Sequence, residues 1–214
     1  AAKLMLGYTL PELKNSVTGT TTACFEPALD YVTVKIPRWD LKKFARVSKK
    51  IGSEMKSVGE VMAIGRSFEE ALQKAIRMLQ VGMYGFVGNE NYSFQNLEKE
   101  LYQPTDERLF GLAEAFKKGW SVEKVAALTK IDPWFLYKMK GLVELEERIR
   151  KYALKELPAA LWLEAKKKGF SDKQLAIFSR TTEDEVRQKR ESLKLRPAVK
   201  QIDTLAAEYP ARTN

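Results

Sequence analysis

From about residue 96 to residue 194 every apolar pattern in this chain repeats with the helical period, and the only two stretches that read as strands lie before residue 66. Helical patterns cover about 96–102, 106–118, 121–129, 133–152, 158–168, 171–179 and 183–194. Their starts are marked locally. Asp132 followed by Pro133 is an N-cap with proline at the first helical position, and Ser171…Gln174 and Thr182…Glu185 are capping-box patterns. The first strand is YVTVKI (Tyr31–Ile36), β-branched and aromatic and closed by Pro37. The second lies in MKSVGEVMAIGR (Met55–Arg66). Between them Asp40 can cap a short helix carrying Leu41, Phe44 and Val47. Ser67-Phe68-Glu69-Glu70 forms a capping box right after the second strand, opening a helix with Phe68, Ala71, Leu72, Ala75, Ile76 and Leu79 on one face and Gly82 placed to end it.

Two strands are too few for a stable sheet. The α+β material of residues 1–86 therefore reads as part of a sheet completed by other polypeptide, and the apolar opening AAKLMLGYTL reads as the middle of a longer protein. The polar connector VGNENYSFQN leads into the all-helical half. That half contains a repeat: GWSVEKVAALT (Gly119–Thr129) and GFSDKQLAIFS (Gly169–Ser179) align at an offset of 50 residues.

Chemistry is narrowed by an absence. The chain has no histidine and one cysteine, which excludes histidine-activated nucleophiles and, in practice, a structural zinc site. Cys24 reads as a small core residue, and a single cysteine fits a reducing compartment. No secretory signal or membrane-spanning run is present, so an intracellular location is expected, the cytoplasm ahead of the mitochondrion. Neither GxGxxG nor a Walker-type phosphate loop occurs. GTTTA (Gly19–Ala23) reads as a surface loop, and the pairs Glu69/Glu70 and Glu146/Glu147 as exposed helix faces.

The net charge of +9 divides as +5 before residue 87 and +4 after it, without a long run of like charge. The repeat has a helix–turn–helix shape, which opens a nucleic-acid-binding alternative. However, Glu183, Asp184 and Glu185 would meet phosphate at the second copy, while Trp134, Phe135 and Tyr137 at the first read as core or interface. Arg187, Lys189, Arg190 and Lys194 read as a solvated face. One carboxylate calls for explanation. With period two, Glu60 shares a strand face with Val58, Met62 and Ile64, where a charge is costly unless paired, protonated or wet. Lys56 and Arg66 are the candidate counter-ions.

Five separated blocks, in order, give the chain a resemblance: FEPALDYVTVKIPRWDLKKF, SEMKSVGEVMAIGRSFEEALQKAIR, IDPWFLYKMK, GFSDKQLA and VKQIDTLAAEYPARTN. Together they resemble the large, synthetase component of carbamoyl-phosphate synthase, in wording closer to its eukaryotic forms. The resemblance implies an α+β ATP-grasp tail followed by an all-α helical oligomerisation domain. Residues 1–86 would end the first, carboxyphosphate ATP-grasp unit, 87–205 would be the oligomerisation domain, and 206–214 would lead into the second ATP-grasp unit. It further implies ATP with Mg2+ or Mn2+ for the full enzyme, none of it bound by this segment alone. The implied partners are the rest of the synthetase chain, a glutaminase domain or subunit, and further copies through the helical domain, with neither nucleic acid nor membrane. No catalytic, metal or nucleotide ligand carries over. The KSVGEVMAIGR strand does, and the resemblance makes Glu60 a wall residue of the route carrying carbamate between the two ATP sites.

Overall fold

A computed structural model describes residues 1–26, 29–43, 46–89, 93–199 and 202. The chain divides into two compact units, Ala1–Tyr31 with Pro197–Asn214, and Val32–Arg196.

In the first unit the described residues form a short helix α1 (Ala2–Met5), a 3-10 turn at Leu10–Glu12 capped by Thr9, and an isolated bridge between Lys14 and Thr22. None of residues 1–26 is buried. Cys24 is therefore exposed rather than a core residue, because this stretch of turns has no core to place it in. The GTTTA segment is a turn, as expected, tied by a Thr18–Thr21 hydroxyl contact of 2.8 Å.

The second unit begins with strands β1 (Val32–Arg38) and β2 (Gly59–Gly65), paired antiparallel with Val34 opposite Ala63 and Pro37 opposite Glu60. β1 runs past Pro37, which a two-stranded sheet tolerates because both strands are edges. The expected helix after Asp40 is only a 3-10 turn, Leu41–Lys43; Phe44 lies outside the described residues.

Helix α2 (Phe68–Met78) packs on one face of the hairpin. Ser67 caps it by accepting the Glu70 N–H, while the Glu70 carboxylate reaches back to the Arg66 N–H rather than to that of Ser67. The strand face under α2 is the small-residue one. A Cβ on Gly65 would fall 2.9 Å from the Ala71 nitrogen, so the close approach of α2 requires glycine there. The larger residues Val58 and Met62 consequently point outward and are exposed.

Seven helices follow among the described residues: α3 (Leu97–Tyr102), α4 (Arg108–Lys117), α5 (Val122–Thr129), α6 (Pro133–Arg150), α7 (Ala159–Lys167), α8 (Asp172–Ser179) and α9 (Glu183–Ser192). Each falls on a helical pattern of the sequence. The repeat is a structural duplication. After α4 the Gly119 and Trp120 N–H groups donate to Phe116 and Ala115, and after α7 those of Gly169 and Phe170 donate to Lys166 and Ala165. These are two Schellman motifs with left-handed glycines, φ +76° and +83°. Ser121 and Ser171 then cap α5 and α8; Lys130 and Arg180 end them in the left-handed region; Asp132 and Thr182 cap α6 and α9.

One core runs through this unit. Leu72 and Ile76 of α2 pack in the same cluster as Phe86, Val87, Leu142, Trp162, Phe170 and Leu175. The polar connector therefore starts buried, at Val87 and Gly88, where the Val87 carbonyl accepts from Gln174. Trp162 and Phe170 are core residues and Trp120 is half-buried under Lys124, whereas Trp134, Phe135 and Tyr137, which read as core or interface, are exposed.

Candidate functional site: the outer face of the strand hairpin

Glu60 stands on the exposed face of β2. Its carboxylate oxygen lies 2.8 Å from Lys35 Nζ, and both side chains are more than half exposed, at 58% and 57%. Lys35 sits opposite Met62 in the register, so the pair is diagonal across the hairpin. The counter-ion is thus Lys35, not Lys56 or Arg66. Lys56 is held by the Ser48 and Lys50 carbonyls and by Glu54 at 3.1 Å. The cost expected for a carboxylate on an apolar face is met in two ways, since Glu60 is both paired and wet. Period-two alternation finds the two strand faces; the glycine and alanine content decides which one α2 covers.

On the other side of the hairpin, α2 is tied to the helical body by polar groups. Glu69 is buried, and Lys168 Nζ reaches it at 2.6 Å with Lys138 at 3.8 Å. The fully buried Gln73 donates to the Lys168 carbonyl and accepts from Gln174 Nε2 at 2.9 Å. Arg77 donates to the Gly169 carbonyl at 2.8 Å. Glu146 is also buried, paired with Lys117 at 3.1 Å and Arg150 at 2.7 Å. Glu69 and Glu146 thus do not lie on exposed helix faces. Lys168 and Lys138 for Glu69 and Lys117 for Glu146 come from other helices and leave no local trace; only Arg150, four residues after Glu146 on the same helix, is a local partner.

Burial pushes the Glu69 carboxyl upward, but the hydrogen bond and charge of Lys168, with the charge of Lys138, hold it below the usual glutamate range. A carboxyl depressed in the folded state contributes stability above its unfolded pKa and loses it as pH falls through the folded one. Glu69→Gln should therefore lower stability at neutral pH by about 1–3 kcal/mol. The deficit should shrink in acid, as denaturant midpoints at pH 7 and pH 3 would show; a deficit independent of pH would contradict the pairing.

A separate cavity of 570 Å³ lies between the end of the hairpin and α4, with Ile36, Trp39, Leu79, Leu109 and Phe110 in its wall. Glu60 does not line it. Among the described residues no group of three or more His, Cys, Asp or Glu could hold a metal ion, and no helix is long and apolar enough to cross a membrane. The helix–turn–helix alternative finds no support in the charges. Arg187 faces Glu183 and Asp184, and Arg190, expected on a solvated face, is largely buried against Asp172 at 3.0 Å.

Residues 60–194 match the family of the carbamoyl-phosphate synthetase large chain, oligomerisation domain. The chain belongs to that family. The matched region of this carbamoyl-phosphate synthetase relative opens at Glu60 and closes at Lys194, two residues beyond α9. Over all of its length the chain is 54% identical to the multifunctional protein ura1 of Schizosaccharomyces pombe and 54% identical to the multifunctional protein CAD of Squalus acanthias. It is 53% identical to the mitochondrial arginine-specific carbamoyl phosphate synthase large chain of Neurospora crassa. The chain spans 9%, 10% and 18% of those relatives' lengths, respectively.

Proposed function

We propose that this chain is an internal segment of a carbamoyl-phosphate synthase, an ATP-dependent ligase that joins bicarbonate and glutamine-derived ammonia into carbamoyl phosphate. Residues 1–86 would end the first ATP-grasp unit, 87–205 would form the oligomerisation domain, and 206–214, outside the described residues, would lead into the second ATP-grasp unit. The observation that carries this reading is the hairpin. Among the described residues its two strands pair only with each other, and its outer face of Val58, Glu60 and Met62 is exposed. Such a sheet is marginal alone, and identity over the whole chain to proteins five to eleven times longer accounts for what would complete it.

On this reading Glu60 lines the carbamate route, and Lys35 gives it a defined role. A lone lysine on the wall would hold the carbamate anion and a lone glutamate would repel it. The ion pair is neutral overall, wets the passage and does neither. On this reading ATP and its divalent cation are held by other parts of the enzyme. Titration calorimetry of the isolated chain with magnesium–ATP should show no specific binding; one-to-one binding at micromolar concentration would contradict the segment's assignment. The rest of the synthetase chain, a glutaminase and further copies through the helical domain are the partners proposed, in an intracellular compartment in keeping with the single cysteine. The activity itself is tested on the full-length protein. Bicarbonate-dependent ATP hydrolysis and carbamoyl phosphate formation from glutamine or ammonia are expected, and failure to form carbamoyl phosphate from either would overturn the reading.

A further inference from the structure

Close to the hairpin the helical body carries an aromatic cluster that stands exposed among the described residues. Phe68, in the first turn of α2 and three residues beyond β2, lies 5.8 Å from the Trp134 ring and 5.3 Å from that of Phe135, and the last two meet edge-to-face at 5.0 Å. Trp134, Phe135 and Tyr137 are 53%, 42% and 57% exposed although they open the longest helix of the structure. Lys138 lies over Trp134, and the cluster borders a polar cleft that contains Glu69, Arg148 and Glu164. An aromatic centre with a charged rim is how binding surfaces are built.

Area decides what covers it. Three such side chains, each of roughly 150–250 Å², offer on the order of 300 Å² at half exposure. A stable dimer buries about 800 Å² per partner. Those three side chains alone supply less than half of that area, and they lie within a few residues of a sheet that needs further polypeptide to complete it. We propose that Phe68, Trp134, Phe135 and Tyr137 form an intrachain docking site, occupied by the segment of the full-length polypeptide that completes the β1–β2 sheet, and not a contact between copies. The docked segment clamps the helical body to the sheet at the start of α2. This rests on the reading above that the sheet is completed from outside the 214 residues.

The test is Trp134→Ala/Phe135→Ala in the full-length enzyme, followed by hydrogen exchange and sedimentation velocity. Exposed positions leave the core intact, and the milder Phe135→Leu guards against a general loss of folding. The expected result is an unchanged oligomeric state with amide exchange in β1, β2 and the first turn of α2 faster by about tenfold or more, while α7 and α8 keep their protection. Dissociation of the assembly with the hairpin still protected would overturn the proposal in favour of a second copy. No change in either measurement would overturn it outright. Rapid exchange of both strands in the unmutated enzyme would overturn the sheet reading and this proposal with it, which tells the two failures apart.

Discussion

Gly169→Ala should destabilise the chain by about 2–5 kcal/mol, whereas its repeat counterpart Gly119→Ala should cost only about 1–2. Both glycines end a helix in the left-handed region, at φ +83° and +76°, so both substitutions carry the same backbone strain. They differ in what the new methyl group meets. At Gly119 nothing lies within 4 Å, but at Gly169 a Cβ would stand 2.9 Å from the Glu70 Cα and 3.0 Å from its carbonyl oxygen. Backbone atoms cannot step aside as the end of a flexible side chain would. Moving α2 away would also strain the Gln73–Gln174 hydrogen bond and the Arg77 bond to the Gly169 carbonyl. Against a typical stability of about 5–15 kcal/mol the larger loss is severe. Urea midpoints of the two variants measured together provide the check; equal losses would mean that α2 does not press on the second Schellman turn.

That asymmetry marks the limit of what the sequence discloses. Helix ends were legible because caps are local. Ser171 and Gln174 are three residues apart and satisfy each other's backbone groups, and Thr182 with Glu185 does the same. The duplication was legible for the same reason, since left-handed glycine, aromatic residue and serine cap recur in fixed order. The use of Gln174 was not. Its oxygen closes the capping box while its nitrogen donates to Gln73, 101 residues away in sequence, and the corresponding position in the first copy is Lys124. Nor was the pairing of Glu69 with Lys168, since a separation of 99 residues leaves no periodic trace. The hairpin was half legible. Alternation separates Val58, Glu60, Met62 and Ile64 from Gly59, Val61, Ala63 and Gly65, and hydrophobic bulk alone favours burying the first set. Helix α2 needs a close approach, so the small residues were buried instead and Glu60 was left in water with Lys35.

Glu60→Leu is the second large effect, and it concerns function in the full-length enzyme. Exposure of the Glu60–Lys35 pair means that losing it should cost little stability, about 0–1 kcal/mol, and leucine suits a face already formed by Val58, Met62 and Ile64. On the proposed reading of Glu60, however, the carbamate passage would lose its wetting carboxylate and gain an apolar side chain beside an unpaired Lys35, which would hold the carbamate anion. Carbamate that is delayed in water decomposes. The first ATP site should therefore keep hydrolysing ATP in the presence of bicarbonate while the second is starved. Lys35→Met should disturb transit in the opposite electrostatic sense, leaving a bare carboxylate that repels the anion. The decisive measurement is the ratio of carbamoyl phosphate formed to ATP hydrolysed in the Glu60→Leu enzyme. This ratio should fall sharply with bicarbonate-dependent hydrolysis and melting temperature largely retained; an unchanged ratio with a lowered melting temperature would make Glu60 a structural residue and overturn its place on the carbamate route.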